Sequence, residues 1–99
     1  MPSIAMTALS GMHAAQTRLA ASAHNIANLE TEGFHRQTVS QRTPPAGGTL
    51  ATVDTQTRSG HAIEADVVGL LQARNHFLAN LAVFKTGDQM TGSLLDALG

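Results

Sequence analysis

Apolar side chains recur at alternating steps of three and four residues along the first part of the chain. The positions that share this spacing are Ala5, Leu9, Met12, Gln16, Leu19, Ala23 and Ile26, with Gln16 as the polar interruption. A heptad-like spacing of this kind is typical of a helix that packs along one narrow face. Ser3 stands just before it, where its hydroxyl can cap the first turn. The pattern predicts a helix over residues 3–30, with Gly11 as its weak point.

A second helical pattern occupies residues 63–98. Its two neighbouring heptad positions hold Leu70, Phe77, Phe84 and Leu98 on one line and Val67, Leu81 and Leu95 on the other, interrupted by Arg74, Asp88 and Thr91. Three glycines also fall inside it, namely Gly69, Gly87 and Gly92. Each glycine costs about 1 kcal/mol relative to alanine in a helix interior. We therefore predict a long helix whose apolar stripe packs on the first helix and which is not built for stability on its own.

The segment between the two helices changes in character. Phe34–Thr43 and Thr49–Arg58 are both rich in threonine, and the sequence Pro-Pro-Ala-Gly-Gly separates them at residues 44–48. Gly47 and Gly48 can supply the positive φ angles that a chain reversal needs. The pattern predicts a β-hairpin or a pair of extended arms over residues 34–60. A two-stranded ribbon is marginal in water by itself, so it needs a helix or a neighbouring subunit to pack against.

Together these elements predict an all-α fold, in which two long antiparallel terminal helices form a coiled-coil-like hairpin joined by the extended or β-hairpin segment. At 99 residues the chain has room for a single domain, residues 1–99. Charged residues are 13% of the chain and the formal net charge is −1, which gives no basic surface for nucleic acid. Without cysteine there is no disulfide and no thiolate site. No stretch approaches the ~20 apolar residues that span a bilayer.

The end of the first helix carries a motif. It consists of Asn25, Ile26, Ala27, Asn28, Thr31, Gly33, Phe34 and Arg36. This run resembles the N-terminal signature of the bacterial flagellar rod and hook family, and the upstream residues 8–12 and 14–19 resemble it too. The segment from Leu70 to Leu98 resembles the C-terminal segment of the same family. Two resemblances in the correct order, at the two correct ends, indicate a protein of the flagellar basal-body rod type.

The resemblance implies a structural role. In that family, paired terminal helices from many subunits form the wall of a helical tube, so the expected partners are other rod and basal-body subunits and the chain itself. It also implies export through the flagellar type III apparatus without a cleaved signal peptide, and a location in the basal body. Because the chain is short for the family, an inner rod subunit or a rod-like accessory is favoured. No cofactor is implied.

The implied subunit contacts fall on the helical stripes and on the motif. The stripe positions are Leu9, Met12, Leu19, Leu70, Phe77, Leu81, Phe84 and Leu95, and the motif positions are Asn25, Ile26, Asn28, Thr31, Gly33 and Phe34. The motif has a second interpretation, because asparagine and threonine side chains commonly satisfy the free backbone groups at a helix end. The two interpretations are compatible.

Two other functions are weighed against the structural one. The five histidines show neither an i,i+4 pair nor an H-E-x-x-H spacing, and no nucleophile elbow or phosphate-binding glycine loop is present, so the sequence predicts neither a metal site nor an enzyme. A generic helical hairpin could instead act as an adaptor that docks a single partner helix on its stripe. We hypothesise that an antiparallel pair of such helices leaves apolar surface open and needs other chains.

Overall fold

The computed structural model describes residues 3–98, so Met1, Pro2 and Gly99 of the predicted domain lie outside the described residues. The elements are helix α1 (Ile4–Ala27), strands β1 (Gln37–Arg42) and β2 (Leu50–Thr55), and helix α2 (Ile63–Leu98). The helices pack antiparallel in a body of 62 × 25 × 14 Å, and the two strands lie against α1. The prediction of two long helices is confirmed. The all-α class is corrected, because the connector forms an antiparallel two-stranded sheet.

Both ends of α1 are capped by side chains. The Ser3 hydroxyl accepts a hydrogen bond from the Met6 amide at 3.1 Å, as the sequence predicts. The helix ends at Ala27, three residues before the predicted end at residue 30. Asn28 ends it, since its backbone amide bonds to the Asn25 carbonyl at 3.3 Å and its side-chain amide donates to the His24 carbonyl at 2.8 Å. These bonds satisfy carbonyls that have no partner within the helix.

The sequence predicted either a β-hairpin or a pair of extended arms for the connector, and the structure has the β-hairpin. Its strands are shorter than the predicted extended segments. Its register pairs Gln37 with Thr55 at one end and Arg42 with Leu50 at the other. Gly48 has a φ of +81° and lies close to Ser10 of α1. The Ser10 hydroxyl accepts a hydrogen bond from the backbone amide of Thr49 at 3.0 Å. The hairpin is therefore held on α1, which supplies the support that an isolated ribbon lacks.

Small residues, together with a few polar side chains, form the contact between the two helices. On α1 the contact line consists of Ala8, Gly11, Ala15, Arg18, Ser22 and Asn25, and on α2 it includes Asp66, Gly69, Ala73, Asn80 and Gly87. The α1 line lies one residue before every predicted seam position from Leu9 onward, which is a rotation of about 100° around the helix. The predicted seam for α1 is therefore wrong by one residue. The backbones can approach closely where the line holds alanine, glycine or serine.

The shift leaves several larger apolar side chains of α1 at the surface. Leu9 and Leu19 are 41% and 39% exposed, whereas Ala8 and Ala15 are buried. One of the glycines in α2 has a packing role. A side chain at Gly69 would come within 3.1 Å of Ser22, tighter than an ordinary contact, whereas one at Gly87 would lie 3.6 Å from the α1 backbone, an ordinary contact distance. The fully buried residues of the helix contact are small, while Leu70, Phe77 and Phe84 are only partly buried.

The tightest point of this contact predicts a measurable coupling. A methyl group at Gly11 would lie 2.6–2.8 Å from three side-chain atoms of Asn80. We expect Gly11→Ala to gain nothing or to lose stability, although alanine is favoured over glycine in a helix by about 1 kcal/mol. Combined with Asn80→Ala, the same change should stabilise the protein relative to Asn80→Ala alone. Urea denaturation of the four proteins measures this, and simple additivity would contradict the tight packing at Gly11.

Candidate subunit interface

A cluster of buried polar groups joins three elements at one end of the hairpin. Asn25 at the end of α1 is 2% exposed, and its side-chain amide donates to the Gln37 carbonyl at 2.9 Å and to Asp66 Oδ1 at 3.0 Å. Its side-chain oxygen accepts a hydrogen bond from the Gln37 amide at 2.8 Å. Asn25 thereby pairs with β1 as a neighbouring strand would. We name Asn25, Arg36, Gln37 and Asp66 the polar junction.

An ion pair completes the polar junction. Arg36 donates to Asp66 through Nη2 at 2.5 Å from Oδ1 and through Nε at 3.3 Å from Oδ2. Asp66 is 3% exposed and lies in the first turn of α2, where the helix dipole also favours a negative charge. A bidentate arginine–carboxylate pair fixes geometry as well as charge. The junction thus sets the positions of the end of α1, the start of β1 and the start of α2 relative to each other.

The remaining motif residues shape the turn between α1 and β1. The Thr31 hydroxyl donates to Asn28 Oδ1 at 3.1 Å, and Gly33 adopts a left-handed φ of +69°. Gly33 therefore has the conformation that the sequence predicts, but it acts in the turn after the helix and not at the helix end. Phe34 lies between His24 and His61, with ring centroids 5.3 and 5.9 Å away. The capping interpretation of the motif agrees with these bonds, while its contact with other subunits stays a prediction.

The conformation of Gly33 carries a testable consequence. No atom lies within 4 Å of the place where a side chain would begin, so a substitution there meets strain from the backbone alone. A β-branched residue in the left-handed region costs about 1–2 kcal/mol. We expect Gly33→Val to lower the midpoint of thermal unfolding and to impair assembly. Gly33→Asn is the matched control, because asparagine tolerates this region; equal losses in both variants would show that the backbone angle is not the cause.

The apolar stripes of the two helices lie side by side on one face of the molecule. Between them runs a groove of about 210 Å³ lined by Ala15, Gln16, Leu19, Leu70, Leu71, Ala73, Arg74, Phe77 and Leu78. Leu9 and Met12 extend this face along α1 at heptad spacing, and Leu81 and Phe84 extend it along α2. We name this surface the open face. It lies away from the hairpin, which packs on another side of α1.

The far part of α2 runs beyond the start of α1. Ile4 and Ala5 lie against Gly87, so α2 continues past them to Leu98. Leu94, Leu95 and Leu98 are all more than half exposed there. Within residues 3–98 this apolar turn is largely exposed, and it extends the open face at one end.

The structure brings most of the predicted site residues into two groups. The stripe positions Leu9, Met12, Leu19, Leu70, Phe77, Leu81 and Phe84 lie on the open face, and Leu95 lies on its extension. The motif positions gather around the polar junction at the other end of α1. The sequence analysis did not predict that Asp66 and Arg36 are partners. A buried aspartate and a motif arginine 30 residues apart carry no spacing signal, so only the fold could pair them.

Other kinds of site find little support in the described part of the chain. No three His, Asp or Glu side chains within residues 3–98 come close enough to hold a metal ion. Over the same residues, neither helix has an apolar stretch long enough to cross a bilayer.

The comparisons with known proteins agree with the motif. Residues 6–35 match the family model described as flagella basal body rod protein. This match confirms the resemblance at the first helix and its turn, and it includes Asn25, Asn28, Thr31, Gly33 and Phe34. The comparison with curated proteins gives no match. The matched family is structural and not enzymatic, and it supports a general role in the rod of the basal body. The resemblance of the C-terminal segment stays a prediction.

Proposed function

We propose that this chain is a structural subunit of the bacterial flagellar basal-body rod, assembled with neighbouring rod subunits through its two helices. The observation that carries the proposal is the open face. Both predicted stripes lie along it, and within residues 3–98 Leu9, Leu19, Leu71 and Leu78 on it are 39–52% exposed, so an apolar surface there is only partly buried by the chain's own elements. The match of residues 6–35 to a family of flagellar basal-body rod proteins supports rod subunits as the partners of this surface.

The mechanism that follows is coupled ordering and association. The helix contact relies on small side chains, so the apolar area buried within one chain is modest. Contact with neighbouring subunits would bury Leu19, Phe77 and Leu78 and would offset the entropy of ordering two long helices. Repeated head-to-tail contacts of this kind generate a tube when they do not close into a ring. Export through the flagellar type III apparatus belongs to the same proposal.

Deletion of the gene and isolation of basal bodies test the proposal. We expect the deletion strain to be non-motile and its basal bodies to lack a complete rod, with recovery when the wild-type gene is returned. Mass spectrometry of purified wild-type basal bodies should detect the chain, and export to the medium should stop in a strain without the flagellar export gate. A motile deletion strain with complete rods would overturn the proposal. Co-purification with one non-flagellar partner in its place would favour the adaptor function.

A further inference from the structure

One heptad line of α2 is complementary to itself when two copies of the helix run antiparallel. The line holds Val67, Arg74, Leu81, Asp88 and Leu95, with Leu81 at its centre. Apolar residues stand at the centre and at both ends, and opposite charges stand seven residues to either side of Leu81. Residues spaced by seven share one side of a helix, so all five lie on the same side of α2. The line follows the open face, because Arg74 lines the groove.

Within residues 3–98, the two charges on this line have no partner. Among residues 3–98 the ion pair that forms is Arg36–Asp66, and over that range neither Arg74 nor Asp88 makes a side-chain hydrogen bond or ion pair. Both residues are exposed, and so are Val67 and Leu95. A cation and an anion therefore interrupt an otherwise apolar surface, at positions related by a twofold axis through Leu81.

We propose that, before assembly, two copies of this chain pair through their open faces, with the α2 helices antiparallel about a twofold axis at Leu81. In that pairing Arg74 of each copy faces Asp88 of the other, and Val67 of each faces Leu95 of the other. The axis makes every contact occur twice, as in an isologous dimer. The exposed Leu95 beyond the start of α1 is thereby covered by the partner. Asp88 and Arg74 specify the direction of pairing, because a parallel alignment would place like charges opposite each other.

This inference extends the proposed function but does not depend on it. The dimer uses the surface that rod neighbours would use. The two copies must therefore dissociate before either one is incorporated into a rod. The partner that binds this surface is α2 of a second copy of the chain. A dimer in solution can exist whether or not the chain enters a rod, and a rod subunit need not dimerise, so separate experiments decide the two.

Charge reversal tests the pairing in the purified full-length chain. Sedimentation equilibrium between about 1 and 100 μM should show a dimer, and Arg74→Asp and Asp88→Arg should each weaken it about tenfold, because each change places like charges together at two equivalent sites. The double variant should recover wild-type affinity, and an equal mixture of the two single variants should form heterodimers. Asp96→Arg and Arg58→Asp are the matched controls, since both are exposed and lie off this line. Circular dichroism checks that every variant stays folded.

Disulfide cross-linking tests the direction of the helices, and the chain has no cysteine of its own to interfere. Leu81→Cys should form a disulfide-linked dimer under mild oxidation, because only a residue on the twofold axis meets its own copy. Val67→Cys alone should not, since its two copies would be about 42 Å apart along the helices, but it should link to Leu95→Cys in a mixture. A monomer throughout the concentration range, a double variant that stays weak, or Leu81→Cys chains that do not cross-link would each overturn the inference.

Discussion

Replacing Asp66 with alanine is expected to destabilise the protein by about 3 kcal/mol. The change removes both acceptors of Arg36 and one acceptor of Asn25. The Arg36 side chain is only 15% exposed, so its charge would remain largely buried without a partner. Breaking a buried pair on one side costs more than the pair contributes, because the remaining charge is desolvated and unpaired. Thermal and urea unfolding followed by circular dichroism measure the effect.

The matched control for this prediction is Glu64→Ala. Glu64 lies in the same first turn of α2 but is exposed, so its removal tests the helix-dipole contribution alone, about 0.3–1 kcal/mol. Adding Arg36→Leu to Asp66→Ala should restore part of the loss, since the unpaired charge is then gone. If Glu64→Ala and Asp66→Ala lose equal stability, the polar junction has no special role and the dipole explains both.

Acidic substitutions on the open face should abolish assembly while leaving the fold intact. Leu71 and Leu78 line the groove and are already about half exposed, so Leu71→Glu with Leu78→Glu should change folding stability by no more than about 1 kcal/mol. Between subunits, the same change buries two charges where two leucine side chains would pack, which should weaken association at least a hundredfold. A strain carrying this variant is expected to be non-motile, with the folded protein absent from its basal bodies.

Val83→Glu provides the comparison for this second experiment. Val83 is 47% exposed and Leu78 is 46% exposed, but Val83 lies on another side of α2, away from the groove. We expect a strain with Val83→Glu to assemble rods and to swim. Normal motility in the Leu71→Glu/Leu78→Glu strain would show that assembly does not require the open face. Loss of motility in both strains would show that the whole surface of α2, and not this face, is required.

The sequence pattern predicted elements well and predicted contacts less well. Helical periodicity located α1 and α2, and the Pro-Gly segment at residues 44–48 located the turn of the hairpin. The predicted first helix extends three residues beyond the observed end of α1. Asn28 ends the helix through its own side chain, and Gly33 acts later, in the turn that follows. Composition alone could not choose between extended arms and a hairpin, since the strands are stabilised by α1 through contacts such as Ser10 with Thr49.

The candidate site shows the same division. Its residues were chosen from local features, namely apolar positions at heptad spacing and a motif at a helix end, and their contact with other subunits stays a prediction. Their arrangement was not predicted, because periodicity identifies the apolar side of a helix without saying what that side faces. Here the apolar sides of α1 and α2 lie next to each other on the open face, while smaller neighbours such as Ala15 and Ala73 make the contact.

By itself, the sequence determined two amphipathic helices, a hairpin between them and a helix-end motif of the rod type, since all of these depend on residues close together in the chain. Only the tertiary structure decided that small residues are the fully buried part of the helix contact, that Leu9, Leu19 and several leucines of α2 stay at the surface, and that Asn25, Arg36 and Asp66 meet. The physical reason is that close packing between helices favours the smallest side chains at the point of contact. Pairing of buried charges, in turn, depends on distances that no local pattern records.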